Sequence, residues 1–360
     1  MKPWGASAAL KDTVMTKLTS ISAILLASAA LAACGGGTSG SREQIRAVGS
    51  STVYPFSTSV AEAFTKGSGG FKSPIIESTG TGAGMKLFCA GVGVQHPDIE
   101  NASRRIKKSE YEECATHGVK DIVEVQVGID GIAFAEAANG PGITLTPIDV
   151  YKALAEKPFG KPNTAKTWKD VNPALPALPI MVYGPPKTSG TRDALAELIL
   201  EKGCDSDPAM KALKESNKDE HKAICTTVRS DGAYAEQGEN DNLIVQKLST
   251  NPNVIGIFGF SFLEENMDKL KGIPMSGVTP TYETISDFSY PGARPLYIYI
   301  KAGHLKSIRG LKEFAAEYAS AWGPDGYLKK KGMVISPEDV RAKNAGIVAA
   351  MTLLDPTTLK

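Results

Sequence analysis

The chain has 360 residues, 42% of them apolar and 22% charged, with 40 Lys and Arg against 39 Asp and Glu. At roughly 150 residues per domain, this is enough for two domains with their own cores, and the composition excludes a disordered or collagenous chain. A formal charge of +1 excludes bulk attraction to nucleic acid but leaves room for a local anion site built from a few placed donors.

Met15 to Cys34 reads as an export signal. Lys17 supplies the positive end, Ile21 to Leu31 is apolar except for Ser22 and Ser28, and Ala32-Ala33 precedes Cys34. The apolar stretch is too short to cross the roughly 30 Å hydrocarbon core as a stable helix. If the signal starts at Met15, residues 1–14 lie upstream of the start. The string Leu31-Ala32-Ala33-Cys34 resembles the lipobox of bacterial lipoproteins, in which the cysteine takes a diacylglycerol and becomes the new N-terminus. Residues 34–43 then form a glycine-rich tether, and one lipid implies a protein anchored to a membrane rather than spanning it. Cleavage before Cys34 removes three basic side chains and one acidic one. The net charge becomes slightly negative, so an anion must be recognised by local donors.

Along the mature chain, Ile45 to Gly49 predicts a strand and Tyr54 to Lys66 a helix with Phe56, Val60 and Phe64 on one side. Pro74 to Glu77 predicts a second strand, followed by a glycine loop and a helix from Met85 to Ala90. Val123 to Val127 alternates as a strand, and Ala194 to Lys202 has helical spacing. Val254 to Phe260 and Leu296 to Lys301 read as buried strands, and Leu311 to Trp322 as a closing helix. Asn172 to Pro186 is proline-rich and marks a connection. Strands alternating with helices argue for α/β architecture with mostly parallel sheets.

Besides Cys34, four cysteines remain: Cys89, Cys114, Cys204 and Cys225. In an oxidising compartment an even set favours disulfides. Of the three pairings, sequence proximity favours Cys89–Cys114 with Cys204–Cys225. A metal site is disfavoured, because there is no C-x-x-C and His96, His117, His221 and His304 lack ligand spacing.

Four segments place hydroxyl or glycine residues immediately before a helical stretch. They are Gly49-Ser50-Ser51-Thr52, Ser78 to Gly84, Asn101-Ala102-Ser103-Arg104-Arg105, and Thr188-Ser189-Gly190-Thr191-Arg192. A helix start offers unsatisfied N–H groups and a positive dipole end, and glycine lets an oxyanion approach the backbone closely. Any one of them reads equally well as an ordinary helix cap; four together, two beside arginines, form a candidate anion site. Lys107 and Lys108 read as a solvated helix face, and Arg192 has the alternative of pairing with Asp193 or a carboxylate across a cleft.

The strings AVGSSTVYPF from Ala47, STGTGAG from Ser78, NASRRI from Asn101, TSGTRDA from Thr188 and YPGARPLYIYI from Tyr290 occur in one order over most of the mature chain. In these the chain resembles the PstS-type phosphate-binding proteins of bacterial phosphate ABC transporters. The resemblance implies a type II periplasmic-binding-protein fold, α/β, with two mixed sheets flanked by helices and a two-strand hinge. It divides the chain into lobe 1 (44–128 plus 294–360) and lobe 2 (129–293), with crossings near Val127 to Asp130 and Arg294 to Leu296. It also implies a monomeric, non-catalytic periplasmic receptor without cofactor, which encloses inorganic phosphate between its lobes and delivers it to an inner-membrane permease. The ligand set carried over is Ser51 and Thr52, Thr81 and Gly82, Ser103 and Arg104, and Ser189, Gly190, Thr191 and Arg192. Arg104 stands where many members carry an aspartate that accepts a hydrogen bond from protonated phosphate, as in another branch of the family. Pro185 stands where many carry an arginine, with Lys187 and Arg192 nearby. An arginine fork suits a tetrahedral oxyanion, but without the acceptor carboxylate, sulfate, a phosphonate or an organic phosphate ester remain alternatives. So does an envelope lipoprotein using the same fold without transport.

Other motifs fail on spacing. Gly80-x-Gly82-x-Gly84 brings its third glycine one residue too early for a dinucleotide fingerprint. Gly259-Phe260-Ser261 lacks the last glycine of a hydrolase elbow. Neither a P-loop nor a metal cluster suited to a phosphatase is present in the sequence.

Overall fold

The computed structural model describes residues 42–67, 70–187, 189–237 and 241–359. The export segment, Cys34, residues 34–41 of the tether and Thr188 lie outside the described residues. In the first sheet, β1 (Arg46–Gly49) lies between β2 (Ile75–Ser78) and β3 (Ile99–Ala102), parallel to both. Parallel neighbours need crossovers, which α1 (Tyr54–Gly67) and α2 (Thr81–Cys89) supply. α1 buries Phe56, Val60 and Phe64, the face expected from the spacing. α3 (Lys108–Thr116) follows β3 and leads into β4 (Ile122–Ala137).

β4 is the long member of the fold. From Ile122 to Gly131 it pairs antiparallel with β9 (Ala293–Lys301), with a register shift between Gln126 and Gly128. β9 in turn lies antiparallel to β3. Beyond Gly131, β4 turns to β7 (Ile255–Gly259) and β8 (Leu270–Gly272), and β7 continues to β5 (Val182–Gly184) and β6 (Tyr234–Glu236). The strand order is β2-β1-β3-β9-β4-β7-β5-β6, with β8 beside β4. β4 thus runs continuously from one set of strands to the other, and along it Ile129 pairs with Pro295 and Asp130 with Arg294.

The expectation of mostly parallel sheets is corrected. β1, β2 and β3 are parallel, as are β5, β6 and β7, but every pairing of β4 or β9 is antiparallel. The chain crosses the hinge once in each direction, so its crossing strands must oppose one another. β3 was not expected, because Ile99-Glu100-Asn101-Ala102 has no alternation; all four residues are buried, polar ones included. β5 lies inside the proline-rich connection.

The buried side chains divide in the same way. One core gathers residues from Ile129 to Tyr290, joined by Val334. A second draws on α1, the first half of β4, β9 and the helix Leu311–Ala321, and a third packs α2 and α3 beneath Tyr297 and Tyr299. Cys89–Cys114 ties α2 to α3, and Cys204–Cys225 ties the segment Glu201–Cys204 to the helix Lys218–Thr226, with sequence separations of 25 and 21. The pairing favoured by proximity is the one present.

Candidate functional site

The first three candidate segments meet at the C-terminal ends of β1, β2 and β3, where open α/β sheets present ligands. Gly49 ends β1 with φ 125°, a conformation glycine adopts without strain, and a Cβ there would lie 2.2 Å from the Asn101 carbonyl oxygen. Ser50 N donates to Asn101 O at 2.7 Å, and Thr79 N and Gly80 N both donate to Gly49 O, at 2.9 and 2.8 Å. These bonds tie the three loops to one another. Ser50 Oγ accepts from Thr52 N and Val53 N, which fixes Ser51 and Thr52 in the turn entering α1.

α2 begins at Thr81, four residues before the expected Met85, so the glycine string forms its first turn rather than a loop. Gly80, its N-cap, has φ 79° and offers no side-chain cap. The first-turn N–H groups thus point outward without a capping oxygen, which suits an anion. Thr81 Oγ1 lies 3.1 Å from Ser103 Oγ and accepts from Ser103 N at 3.1 Å, joining the second and third segments. Ser103 does not precede a helix, because α3 starts at Lys108 with Lys107 as its cap. It is held at the site by the end of β3.

The fourth segment arrives from the other lobe. Ser189 caps the helix Gly190–Ala194 by accepting from Thr191 N at 3.2 Å. The run then passes through a π-helical turn, Leu195–Leu200, instead of the plain helix expected from Ala194 to Lys202. Gly190 sits against the first loop, where a Cβ would come within 2.7 Å of Thr52 Cα, and Thr52 Oγ1 lies 3.4 Å from Gly190 O. Ser51 Oγ donates to the Asp193 carboxylate across the same gap. Burial pushes the Asp193 carboxyl up, against the pull of the Ser51 hydrogen bond.

Sequence reasoning missed Arg294 as a site group. It lies on β9 at the hinge, 7% exposed, and donates to Asp130 at 3.0 Å, to Thr52 Oγ1 at 2.9 Å and to Glu197. Its only signal was a cation opening an apolar strand. Burial pushes the Asp130 carboxyl up and Arg294 pulls it back, so the two form a compensated buried pair beneath Thr52.

The other arginines have protein partners. Arg104 forks onto Glu110, at 2.9 and 2.6 Å. Burial pushes the Glu110 carboxyl up, but the bonds from Arg104 and from Lys107 N outweigh it and hold it below the ordinary range. Arg105 pairs with Glu124 and the Thr358 carbonyl. Arg192 stacks 4.5 Å over the Tyr234 ring, donates to Pro185 O at 3.2 Å and faces Glu236. These contacts hold the guanidinium against Tyr234 and the Pro185 carbonyl, beside the start of the helix Gly190–Ala194.

The chemistry on offer is hydroxyl and backbone donors around a gap. His304 pairs with Asp98, His221 with Asp205, and His117 with Glu113 O of its own helix. Cys204, His221 and Cys225 bring their ligand atoms within 4.8 Å of one another, but both thiols are consumed in the disulfide.

A family model described as a PBP superfamily domain matches residues 36–321. The phosphate-binding protein PstS of Staphylococcus saprophyticus is 34% identical over 307 residues, covering 82% of each chain. Protein SphX of Synechococcus elongatus is 32% identical over 325 residues, covering 87% of this chain and 86% of SphX. The crystal structure of a possible phosphate binding protein from Planctomyces limnophilus superposes with a TM-score of 0.68 at 28% identity, covering 85% of this chain and 98% of that one.

Proposed function

The chain belongs to the PstS-type family of substrate-binding proteins, and from that premise we propose that it captures inorganic phosphate between its two lobes for an ABC importer. The relatives named above as phosphate-binding proteins support this ligand. The observation that carries the reading is the meeting of Ser51 and Thr52 with Gly190 and Asp193 across the hinge, beside the uncapped start of α2 and the Thr81–Ser103 pair. Such a gap is lined by donors and offers a small oxyanion hydrogen bonds from both sides.

The proposed ligand set is Ser51, Thr52, Thr81, Gly82, Ser103, Arg104, Ser189, Gly190, Thr191 and Arg192. Arg104 stands beside Ser103 with its fork shared with Glu110. The lobes are 44–128 plus 294–360 and 129–293, a division supported by the separate cores. The protein acts as a monomer in the periplasm and performs no chemistry. Cys34 carries the lipid anchor, and the partner is an inner-membrane permease.

Titration calorimetry with inorganic phosphate tests the ligand. The expected result is tight binding, weakened by at least about tenfold in Ser189→Val and Thr191→Val, each of which removes a hydrogen bond to a charged ligand worth about 1.5–3 kcal/mol. Flat traces with phosphate alongside clear heat from sulfate or an organic phosphate ester would reassign the ligand. Turnover of a phosphomonoester would overturn the binding-only reading.

A further inference from the structure

Beneath the anion loops lies a carboxyl group that has no partner. Glu100, in the middle of β3, is 0% exposed, and neither of its oxygens has a hydrogen-bond partner. Its position is fixed from two sides. A Cβ on Gly49 would lie 2.7 Å from Glu100 Oε1, and a Cβ on Gly84 would lie 2.3 Å from Oε2 and 2.5 Å from Gly49 Cα. The carboxyl is therefore wedged where β1 runs into the first loop and the first turn of α2 crosses over it. These are the two backbones that present Ser51, Thr52, Thr81 and Gly82 to the gap. The glycines at both contacts are what make room for it.

The surroundings give a charge on Glu100 little compensation. β1 presents Val48 and Gly49 beside it, and α2 presents Gly84 with the buried apolar Met85 and Phe88. β9 places Tyr299 opposite; this phenol donates to Glu124, accepts from Ile106 N, and is itself pushed well above its ordinary value by burial. From the α3 side the facing charges are Glu110 and Arg104, which neutralise one another as a pair. An isolated buried carboxylate is costly and takes up a proton instead. Burial first, and Glu110 second, push Glu100 well above the carboxylate range, with Arg104 pulling weakly the other way.

We propose that Glu100 is the proton-bearing floor of the anion cradle, a positioning residue whose proton and the bound anion are held together, so that losing the one weakens the other. The inference rests on the anion reading of the cleft. A negative ligand above the loops disfavours a second negative charge beneath them, and by linkage a proton on Glu100 favours the ligand by the same factor. Anion affinity is complete while Glu100 is protonated and declines as pH rises through its value in the free protein.

The test compares full-length wild type with Glu100→Gln, an isostere of the neutral acid, in calorimetric titrations with inorganic phosphate from about pH 6 to 10, a range chosen to pass above a strongly raised carboxyl. Ionisation of phosphate itself affects both proteins equally, so the wild-type-to-variant affinity ratio isolates Glu100. The expected ratio is constant on the acid side and falls by up to about tenfold per pH unit on the alkaline side. A second readout uses wild type alone: binding measured in buffers of different ionisation enthalpy should show proton uptake, beyond that of phosphate, in the window where the ratio falls. If the variant does not fold, this measurement decides. Phosphate binding with a pH-independent ratio, or with no excess proton uptake, overturns the role of Glu100 and leaves the functional reading standing. Absence of phosphate binding at every pH overturns that reading and this inference with it.

Discussion

Gly190→Ala isolates the contact between the lobes. The added Cβ would lie 2.7 Å from Thr52 Cα, 3.2 Å from Ser51 O and 3.3 Å from Thr52 N. Ordinary contact for a Cβ begins near 3.4 Å, so the closest approach falls short by about 0.7 Å. All three obstacles are backbone atoms, and no rotamer change relieves them. The helix start is not weakened in compensation, since alanine is about 1 kcal/mol better than glycine in a helix. The strain must be met by separating the lobes at the hinge, and overpacking of this kind costs about 1–3 kcal/mol. If closure around the anion needs this contact, affinity falls by roughly 5- to 150-fold. Calorimetry with inorganic phosphate reads that loss. Wild-type affinity in the variant would refute the claim that the gap closes on Gly190 and Thr52.

Three further outcomes follow from the same geometry. Gly84→Ala pushes a Cβ to 2.5 Å from Gly49 Cα and 2.3 Å from Glu100 Oε2, so it should lower stability by about 1–3 kcal/mol, read as a lower denaturant midpoint with unchanged slope. Replacing Cys204 and Cys225 together by serine should cost about 3 kcal/mol, because the bridge closes a 21-residue separation in the unfolded chain; an unchanged midpoint would argue against that bridge. Glu110, held below its ordinary value of 4.5, contributes stability that is complete above that value and lost as pH falls through its lower folded-state value. Glu110→Gln should flatten this acid limb in a series of melts from pH 6 to 2, a range spanning both values. An acid limb identical to wild type would contradict the Arg104–Glu110 pairing.

Much of the fold was legible in the sequence because its signals are local. α1, β1, β2, β7 and the helix Leu311–Ala321 appear where periodicity and apolar runs placed them. The pairing of β4 with β9, from Ile122 with Lys301 to Gly131 with Ala293, joins segments far apart in the chain, which local patterns do not announce. β3 escaped notice because Ile99-Glu100-Asn101-Ala102 has no alternation, and only the tertiary packing buries all four residues. The glycine string read as a loop, yet glycine is also what allows α2 to start directly over β1.

At the candidate site the division is similar. Hydroxyl and glycine residues at turns marked Ser51, Thr52, Thr81 and Ser189, because caps and tight turns are set by a few neighbouring residues. The arginines were different. Arg104 forks onto Glu110, and Arg192 stacks on Tyr234, 42 positions further along the chain. A flexible cation takes its partner from whatever the fold brings near it, and sequence spacing says little about that choice. Composition and charge by themselves determined that recognition must rest on local donors, and the cysteine spacing selected the disulfide pairing that the structure contains. Only the tertiary structure decided which donors face one another across the hinge, how Arg294 came to lie beneath Thr52, and that a lone carboxyl is sealed under the loops. Those facts depend on contacts between distant segments, which are fixed by packing rather than by any local pattern.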